Sequence, residues 1–137
     1  MQTFLPEPTF ALAVSRLDRQ RLGKQRVEAM QILKALVDPT YGWQHHPAVR
    51  MWRGFEANLR GYYNTCLFEW CTHGYKNTMA VANDTLYDPP PWLTPAFIAS
   101  HRSNLLRKDP SWYAQFGWNV PNDLPYVWPT GETNAQG

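Results

Sequence analysis

Long apolar segments are absent from this sequence of 137 residues, since no run approaches the ~18 residues that a membrane-spanning helix needs. Residues 1–8 also lack the basic region and the apolar stretch of a secretory signal, and we therefore expect a cytoplasmic protein with no membrane partner. No internal repeat is found. By length alone, the chain forms one domain with a substantial core.

Cysteine is scarce, and Cys66 and Cys71 are the only two. A separation of five residues within a helical pattern puts them on different faces, so we expect free thiols and no disulfide. His45 and His46 have no partner ligands at a zinc spacing, and the sequence contains no CxxC pair. We therefore expect neither a metal nor an organic cofactor.

Period-two alternation is also missing, whereas apolar residues recur at helical spacing over much of the chain. We expect an all-α fold, a single-domain compact helical bundle over residues 1–130. An extended N-terminal arm and Pro/Trp-rich connecting loops complete it, and residues 131–137 are expected to form a flexible C-terminal tail.

Capping patterns predict where the helices lie. A capping-box variant at 15–18 is expected to begin a helix that runs to about Val37, and a second long helix is expected from the end of loop 41–47 to about Cys71. A weaker pattern predicts a short helix around 78–86. Two cap-then-proline pairs predict a helix from Thr94-Pro95 to about Lys108 and a short one from Asp109-Pro110 to Gly117.

The sequence is rich in aromatic residues and in clustered basic residues. Basic residues gather in three groups, which suits phosphate binding but equally suits solvated helix faces. The groups are Arg16, Arg19, Arg21, Lys24 and Arg26; Arg50, Arg53 and Arg60; and Arg102, Arg107 and Lys108.

One helical face combines a carboxylate with cations. Arg21, Lys24, Gln25 and Glu28 stand at i, i+3, i+4 and i+7 and therefore share that face. A lone acid among cations suits acid–base chemistry on a phosphate-rich substrate, although a solvated ladder of polar side chains has the same pattern. Gly23 costs about 1 kcal/mol in a helix, which suggests that another backbone approaches it closely.

Three segments resemble the pyrimidine-dimer DNA glycosylases, the phage endonuclease V family and its bacterial relatives. Leu17, Gln20, Leu22 and Glu28 match a Leu-x-x-Gln-x-Leu run followed by a glutamate, and Gln25 matches a glutamine of the bacterial branch. Two further stretches are similar, namely Gly42-Trp43 with His46 and Val49, and Pro110–Gly117 with its Pro-x-Trp-Tyr-x-x-x-Gly pattern. The three segments occur in the expected order along the chain.

The resemblance implies an all-α fold whose N-terminal arm threads between helices and brings the α-amino group to the catalytic glutamate, here Glu28. That amine attacks the sugar C1′, displaces the base and forms a Schiff base, and β-elimination then nicks the strand. The chemistry suits an α-amine, whose reference pKa of about 7.7–8.0 lies well below the value of about 10.4 for lysine.

The N-terminus departs from the family pattern, because the phage enzyme exposes a small second residue after its methionine is removed. Gln2 is bulky and disfavours that removal, so Met1 itself is expected to supply the amine. Lys24 is the alternative imine former if burial or Arg21 and Arg26 lower its pKa.

The remaining candidates are residues that would contact double-stranded DNA. Cations are expected on phosphates, the loop aromatics at a pocket for the base, and the late aromatics at the lesion, although packed positions explain the same aromatics equally well. The DNA-binding candidates are Arg21, Gln25, Arg26, Arg50, Arg53, Tyr41, Trp43, His46, Trp112 and Tyr113.

The sequence thus predicts a monomeric DNA glycosylase with AP-lyase activity on damaged or modified pyrimidines, with pyrimidine dimers as the leading substrate. Two alternatives remain open. One is a non-catalytic DNA-binding module of the same fold, and the other is an enzyme that modifies a flipped pyrimidine. The lesion itself is not readable, because pocket shape and duplex deformability decide it.

Overall fold

The protein is all-helical over residues 1–130, the part of the chain that this computed structural model describes. Six α-helices and a 3₁₀ turn occur there, with no β-strand among them. They are α1 (Phe10–Ser15), α2 (Arg19–Val37), α3 (Pro47–Trp52), α4 (Glu56–Thr72), α5 (Pro95–Lys108), α6 (Pro110–Tyr113) and the turn Ala114–Phe116. The tail predicted at 131–137 lies outside the described residues. No helix within them is long and apolar enough to cross a bilayer.

Helix α2 is the central element and packs chiefly against α4. Its start differs from the prediction, because Asp18, not Ser15, is the N-cap and accepts a hydrogen bond from the Arg21 N–H. Ser15 instead ends α1, a short helix that the expectation of a fully extended arm missed. Thr9 caps α1, so two capping residues nine positions apart divide the segment into two helices.

The predicted long helix up to Cys71 is two helices, and that prediction was wrong in this respect. Gly54 adopts φ +89°, a conformation that favours glycine, and thereby separates α3 from α4. His46 caps α3, with its Nδ1 accepting from the Ala48 N–H at 3.0 Å. Both thiols are free, with Cys66 buried and Cys71 exposed, as expected.

The short helix predicted around 78–86 is absent, because this segment forms its hydrogen bonds with α4 rather than within itself. Asn64 of α4 donates to the Ala82 carbonyl and accepts from the Ala82 N–H, and Tyr63 donates to the Ala80 carbonyl. The Leu86 N–H reaches back to the Ala57 carbonyl. The side chains of Asn64 and Tyr63 on α4 therefore hold the segment in an extended path.

The C-terminal half follows its capping signals. Thr94 and Asp109 cap α5 and α6, each ahead of a proline, and Gly117 closes the last turn at φ +65°, so the predictions for these helices are confirmed. Residues 119–130, which we call the C-terminal strap, then run back along α5. Ser103 accepts from the Leu124 N–H and Ser100 from the Val127 N–H, which fixes the strap on that helix.

The N-terminal arm, residues 1–9, runs through the interior of the fold for most of its length. Residues 2–7 are buried. Buried Glu7 pairs with Arg16 at 3.1 Å and with Arg102 at 2.7 Å, and Arg102 also donates to the Pro6 carbonyl. Leu5 donates to Nδ1 of His101. Contacts from α5 and the α1–α2 junction therefore fix where the arm enters the bundle.

The backbone approach that was predicted at Gly23 of α2 does not occur there. A Cβ on Gly23 would approach the Trp70 indole at 3.2 Å, so a side chain, not a backbone, packs on it. The close backbone approach occurs instead at Gly61 of α4, where a Cβ would overlap the carbonyl of Leu86. Gly61 therefore lets the 77–88 segment lie directly on α4.

Gly61→Ala is expected to lower the free energy of unfolding by about 1–3 kcal/mol, because the methyl group displaces the Leu86 backbone despite the better helix propensity of alanine. Urea unfolding measures the change. Gly42→Ala is the control, since a Cβ there meets nothing within 4 Å. Equal stability of both variants would contradict the close approach.

The burial of His101 predicts that the free energy of unfolding depends on pH. Burial lowers its pKa to about 3, so the ring is neutral in the folded state but takes up a proton in the unfolded chain below about pH 6.5. This contribution is fully present above pH ~6.5 and decreases as pH falls toward 3, by up to ~1.4 kcal/mol per pH unit. His101→Asn should flatten the pH dependence of urea unfolding; an unchanged slope would contradict the assignment.

Candidate active site at the N-terminal arm

The Gln25 side chain joins the arm to α2 and α4. Its Oε1 accepts from the Phe4 N–H at 2.9 Å and from the Tyr62 hydroxyl at 2.7 Å. Its Nε2 donates to the Gln2 carbonyl at 2.9 Å and to Oε2 of Glu28 at 3.0 Å. All four hydrogen-bonding positions of the amide are used, at a site that is only 1% exposed. One residue thus fixes the arm and the carboxylate together.

A cavity of ≈ 230 Å³ lies where the arm meets α2. Met1 and Glu28 both line it, and Gln25 connects the residue after Met1 with the Glu28 carboxylate. Burial lowers the pKa of the His46 imidazole, and the positive charge of the terminal ammonium lowers it further. The structure therefore brings the predicted amine and the predicted acid to the same cavity.

Cations from two helices surround this carboxylate. Arg21 and Lys24 of α2 and Lys108 at the end of α5 all line the cavity. Arg21 is also paired with Asp18 at 3.2 Å. Partial burial, reinforced by Arg21, Arg107 and Lys24, lowers the pKa of Lys108. Three basic side chains against one carboxylate give the cavity an excess of positive charge, which suits an anionic substrate.

The C-terminal strap supplies the aromatic wall of the cavity. Tyr126 and Trp128 line it, and their rings lie 5.7 Å apart. Burial raises the pKa of Tyr126 to about 12, so its hydroxyl stays protonated at neutral pH. His46 meets Trp128 edge to face, and Trp43 meets His46 in the same way. The predicted aromatic loop is therefore adjacent to the cavity wall.

Three of the predicted DNA-binding residues have side chains that are engaged by other parts of the fold. Gln25 lines the cavity but is buried with its amide fully used, so it has no hydrogen-bonding position left for DNA. Tyr113 is fully buried and donates to Asp18 at 2.5 Å, which removes it from the surface. Arg26 lies over the Trp70 ring, donates to Asn77, and is not among the residues lining the cavity.

The other predicted contacts lie nearer the surface. Arg50 and Arg53 are exposed on and after α3. Trp43 is 55% exposed and Trp112 39% exposed, whereas Tyr41 packs partly against the core. Exposed rings and cations of this kind are available to a duplex. Within residues 1–130, no cluster of three His, Cys, Asp or Glu side chains is arranged to hold a metal ion.

Sequence reasoning assigned no site role to five residues of the cavity, namely Gln2, Phe4, Lys108, Tyr126 and Trp128. Lys108 was grouped only with the third set of cations. Tyr126 and Trp128 lie on the irregular strap, whose path depends on hydrogen bonds to Ser100, Ser103 and Asn104 and not on a periodic pattern. The only available signal was the clustering of aromatic residues near the end of the chain.

Gln25→Leu is expected to lower the free energy of unfolding by roughly 2–4 kcal/mol, because it leaves the Phe4 N–H and the Gln2 carbonyl without partners in a buried site. Urea unfolding at neutral pH tests this. Gln31→Leu, on the partly exposed side of α2, is the control and should change stability by less than about 1 kcal/mol. A Gln25 variant as stable as the control would contradict the role of the amide.

Comparison with known proteins agrees with the resemblance in the sequence. The sequence profile of a family described as pyrimidine dimer DNA glycosylase matches residues 1–83. The match includes the arm, Gln25, Glu28 and helices α1–α4, whereas Lys108, Tyr126, Trp128 and the aromatic segment at 110–117 lie beyond it. No curated protein and no solved structure matches the chain.

Proposed function

Because the chain belongs to the pyrimidine dimer DNA glycosylase family, we propose that it excises a damaged or modified pyrimidine from double-stranded DNA and then nicks the strand as an AP lyase. Pyrimidine dimers are the leading substrate. One observation carries the proposal: Met1 and Glu28 line a single cationic cavity and are linked through Gln25.

The Met1 α-amine is the nucleophile in this proposal. Its lone pair forms a bond to C1′ of the damaged nucleotide, and the glycosidic bond breaks with its electron pair leaving on the base, which then takes up a proton. Opening of the sugar ring gives an imine between the amine and C1′. Loss of a C2′ proton then expels the 3′ phosphate, which breaks the strand without any redox partner or metal.

Glu28 has two tasks at this centre. Its carboxylate stabilises the positive charge that develops on the sugar as the base departs, and it moves protons during formation and elimination of the imine. The Gln25 amide, at 3.0 Å from Oε2, holds the carboxylate in place. Lys24 and Lys108 line the same cavity and are the alternative amines.

Phosphates of the duplex are bound, in this proposal, by the cations around and beside the cavity. Arg21, Lys24 and Lys108 line it, and exposed Arg50 and Arg53 extend the positive surface along α3. Trp43 and Trp112 present exposed rings that suit contact with unstacked bases. The monomeric state and the cytoplasmic location stay predictions.

Borohydride reduction tests the imine directly. A duplex with an abasic site and a duplex with a thymine dimer are each incubated with the protein in the presence of borohydride. The expected result is a covalent protein–DNA adduct with both duplexes, since reduction fixes the C1′ imine as a stable amine. Binding of both duplexes without an adduct or a nick would contradict the proposal and support a non-catalytic DNA-binding module.

Glu28→Gln is expected to slow cleavage of the glycosidic bond in the dimer duplex by roughly 10²-fold or more, because the neutral amide neither stabilises the sugar cation nor moves protons. Binding affinity should stay within about threefold, since the cations of the cavity are retained. Glu69→Gln is the matched control, because Glu69 pairs with His73 on α4 and does not line the cavity. Full activity of Glu28→Gln would overturn the assignment.

A further inference from the structure

Two buried hydrogen-bond donors of the cavity wall have no partner within residues 1–130. Gln2 and Trp128 both line the cavity and are 7% and 6% exposed. Within the described residues, neither Nε2 of Gln2 nor Nε1 of Trp128 meets an acceptor. Buried donors are nearly always paired in folded proteins, so two unpaired donors at one cavity point to a ligand that accepts from them.

The orientation of the Gln2 amide is fixed by its neighbour. Oε1 accepts from the Thr3 N–H at 2.9 Å, and a flipped amide would place two donors against each other at that position. Nε2 is therefore the end of the amide left for another partner. The indole of Trp128 carries only a donor, so both groups offer N–H and neither accepts.

These two donors are neutral, unlike the basic side chains around the cavity. Arg21, Lys24 and Lys108 are charged and suit the phosphates of the backbone. Neutral N–H groups suit the carbonyl oxygens of a base, where a charged partner is not needed. The other unpaired buried nitrogens, on Arg26, Trp92 and His101, belong to residues that do not line this cavity.

Chain geometry links base recognition to the nucleophile. Gln2 directly follows Met1, so their Cα atoms are only ~3.8 Å apart. In a pyrimidine nucleotide, the O2 carbonyl is attached to the carbon next to the glycosidic nitrogen, and it therefore lies close to C1′. An amine that reaches C1′ from Met1 thus brings the neighbouring side chain within range of O2.

We propose that Gln2 and Trp128 are base-binding residues that donate hydrogen bonds to carbonyl oxygens of the excised pyrimidine, with Gln2 on O2. This inference rests on the proposed function and adds the groups that hold the base. As the glycosidic bond breaks, the electron pair that leaves with the base is shared between its ring nitrogen and O2. A donor on O2 therefore stabilises the leaving group as well as selecting for a carbonyl.

Gln2→Met is the first test variant, because methionine has a similar length and lacks the donor, and its bulk also disfavours removal of Met1. Two rates are compared, cleavage of the glycosidic bond in a thymine-dimer duplex and strand cleavage at an abasic site, where no base is present. The ratio of the first rate to the second is expected to fall by about tenfold to a hundredfold. A variant that merely displaced Met1 would lower both rates together.

Trp128→Phe is the second variant, and it removes the indole N–H while keeping an aromatic ring in the wall. The same ratio is expected to fall by about tenfold. Gln115→Met is the control, since exposed Gln115 bonds to the Trp112 carbonyl outside the cavity and should leave the ratio at the wild-type value. Mass spectrometry of each protein verifies that Met1 is retained.

The outcomes separate this inference from the function on which it rests. If the wild-type protein neither releases the base nor forms a borohydride adduct, the proposed function fails. If the wild-type protein is active and both variants keep the wild-type ratio, or lower both rates equally, the assignment of Gln2 and Trp128 is wrong. Cleavage of the abasic duplex without cleavage of a glycosidic bond in the dimer duplex would also overturn it, because no dimer carbonyl would then be held.

Discussion

The Gln25 amide is the interaction on which the site depends. Its two lone pairs and two N–H bonds tie together the Phe4 N–H, the Tyr62 hydroxyl, the Gln2 carbonyl and the Glu28 carboxylate. A buried amide with every position used has one low-energy orientation, because any rotation leaves a donor or acceptor unpaired. The chain terminus and the acid are consequently held by the same rigid group rather than by two independent loops.

The rest of the fold makes that arrangement persist. Glu7, clamped between Arg16 and Arg102, fixes the far end of the arm, and His101 receives the Leu5 N–H between the two ends. The C-terminal strap closes the cavity with Tyr126 and Trp128. Charged groups from α2 and α5 then suit the phosphates, while neutral groups of the arm and the strap suit the base. In the proposed mechanism, preorganisation of this kind places Met1 and Glu28 before the substrate arrives.

Sequence patterns predicted the features that depend on residues close together in the chain, such as helix caps and short motifs. Helix α5 follows from its Thr94 cap and proline, and the family was predicted from motifs around Glu28 that lie within the matched residues. The interior path of the arm was implied only by the family resemblance. The burial of Gln25 and Tyr113 and the path of the strap were not predicted, because they depend on hydrogen bonds between residues far apart in the chain. The helix expected around 78–86 failed for the same reason, since Asn64 of α4 takes its backbone bonds.

A crystal structure of the borohydride-reduced complex with an abasic duplex tests the central claim most directly. The account predicts a covalent bond from the Met1 nitrogen to C1′, the Glu28 carboxylate beside that carbon, and the four hydrogen bonds of Gln25 unchanged. A bond from Lys24 or Lys108 to C1′, or an N-terminus withdrawn from the cavity while the DNA is attached, would contradict it.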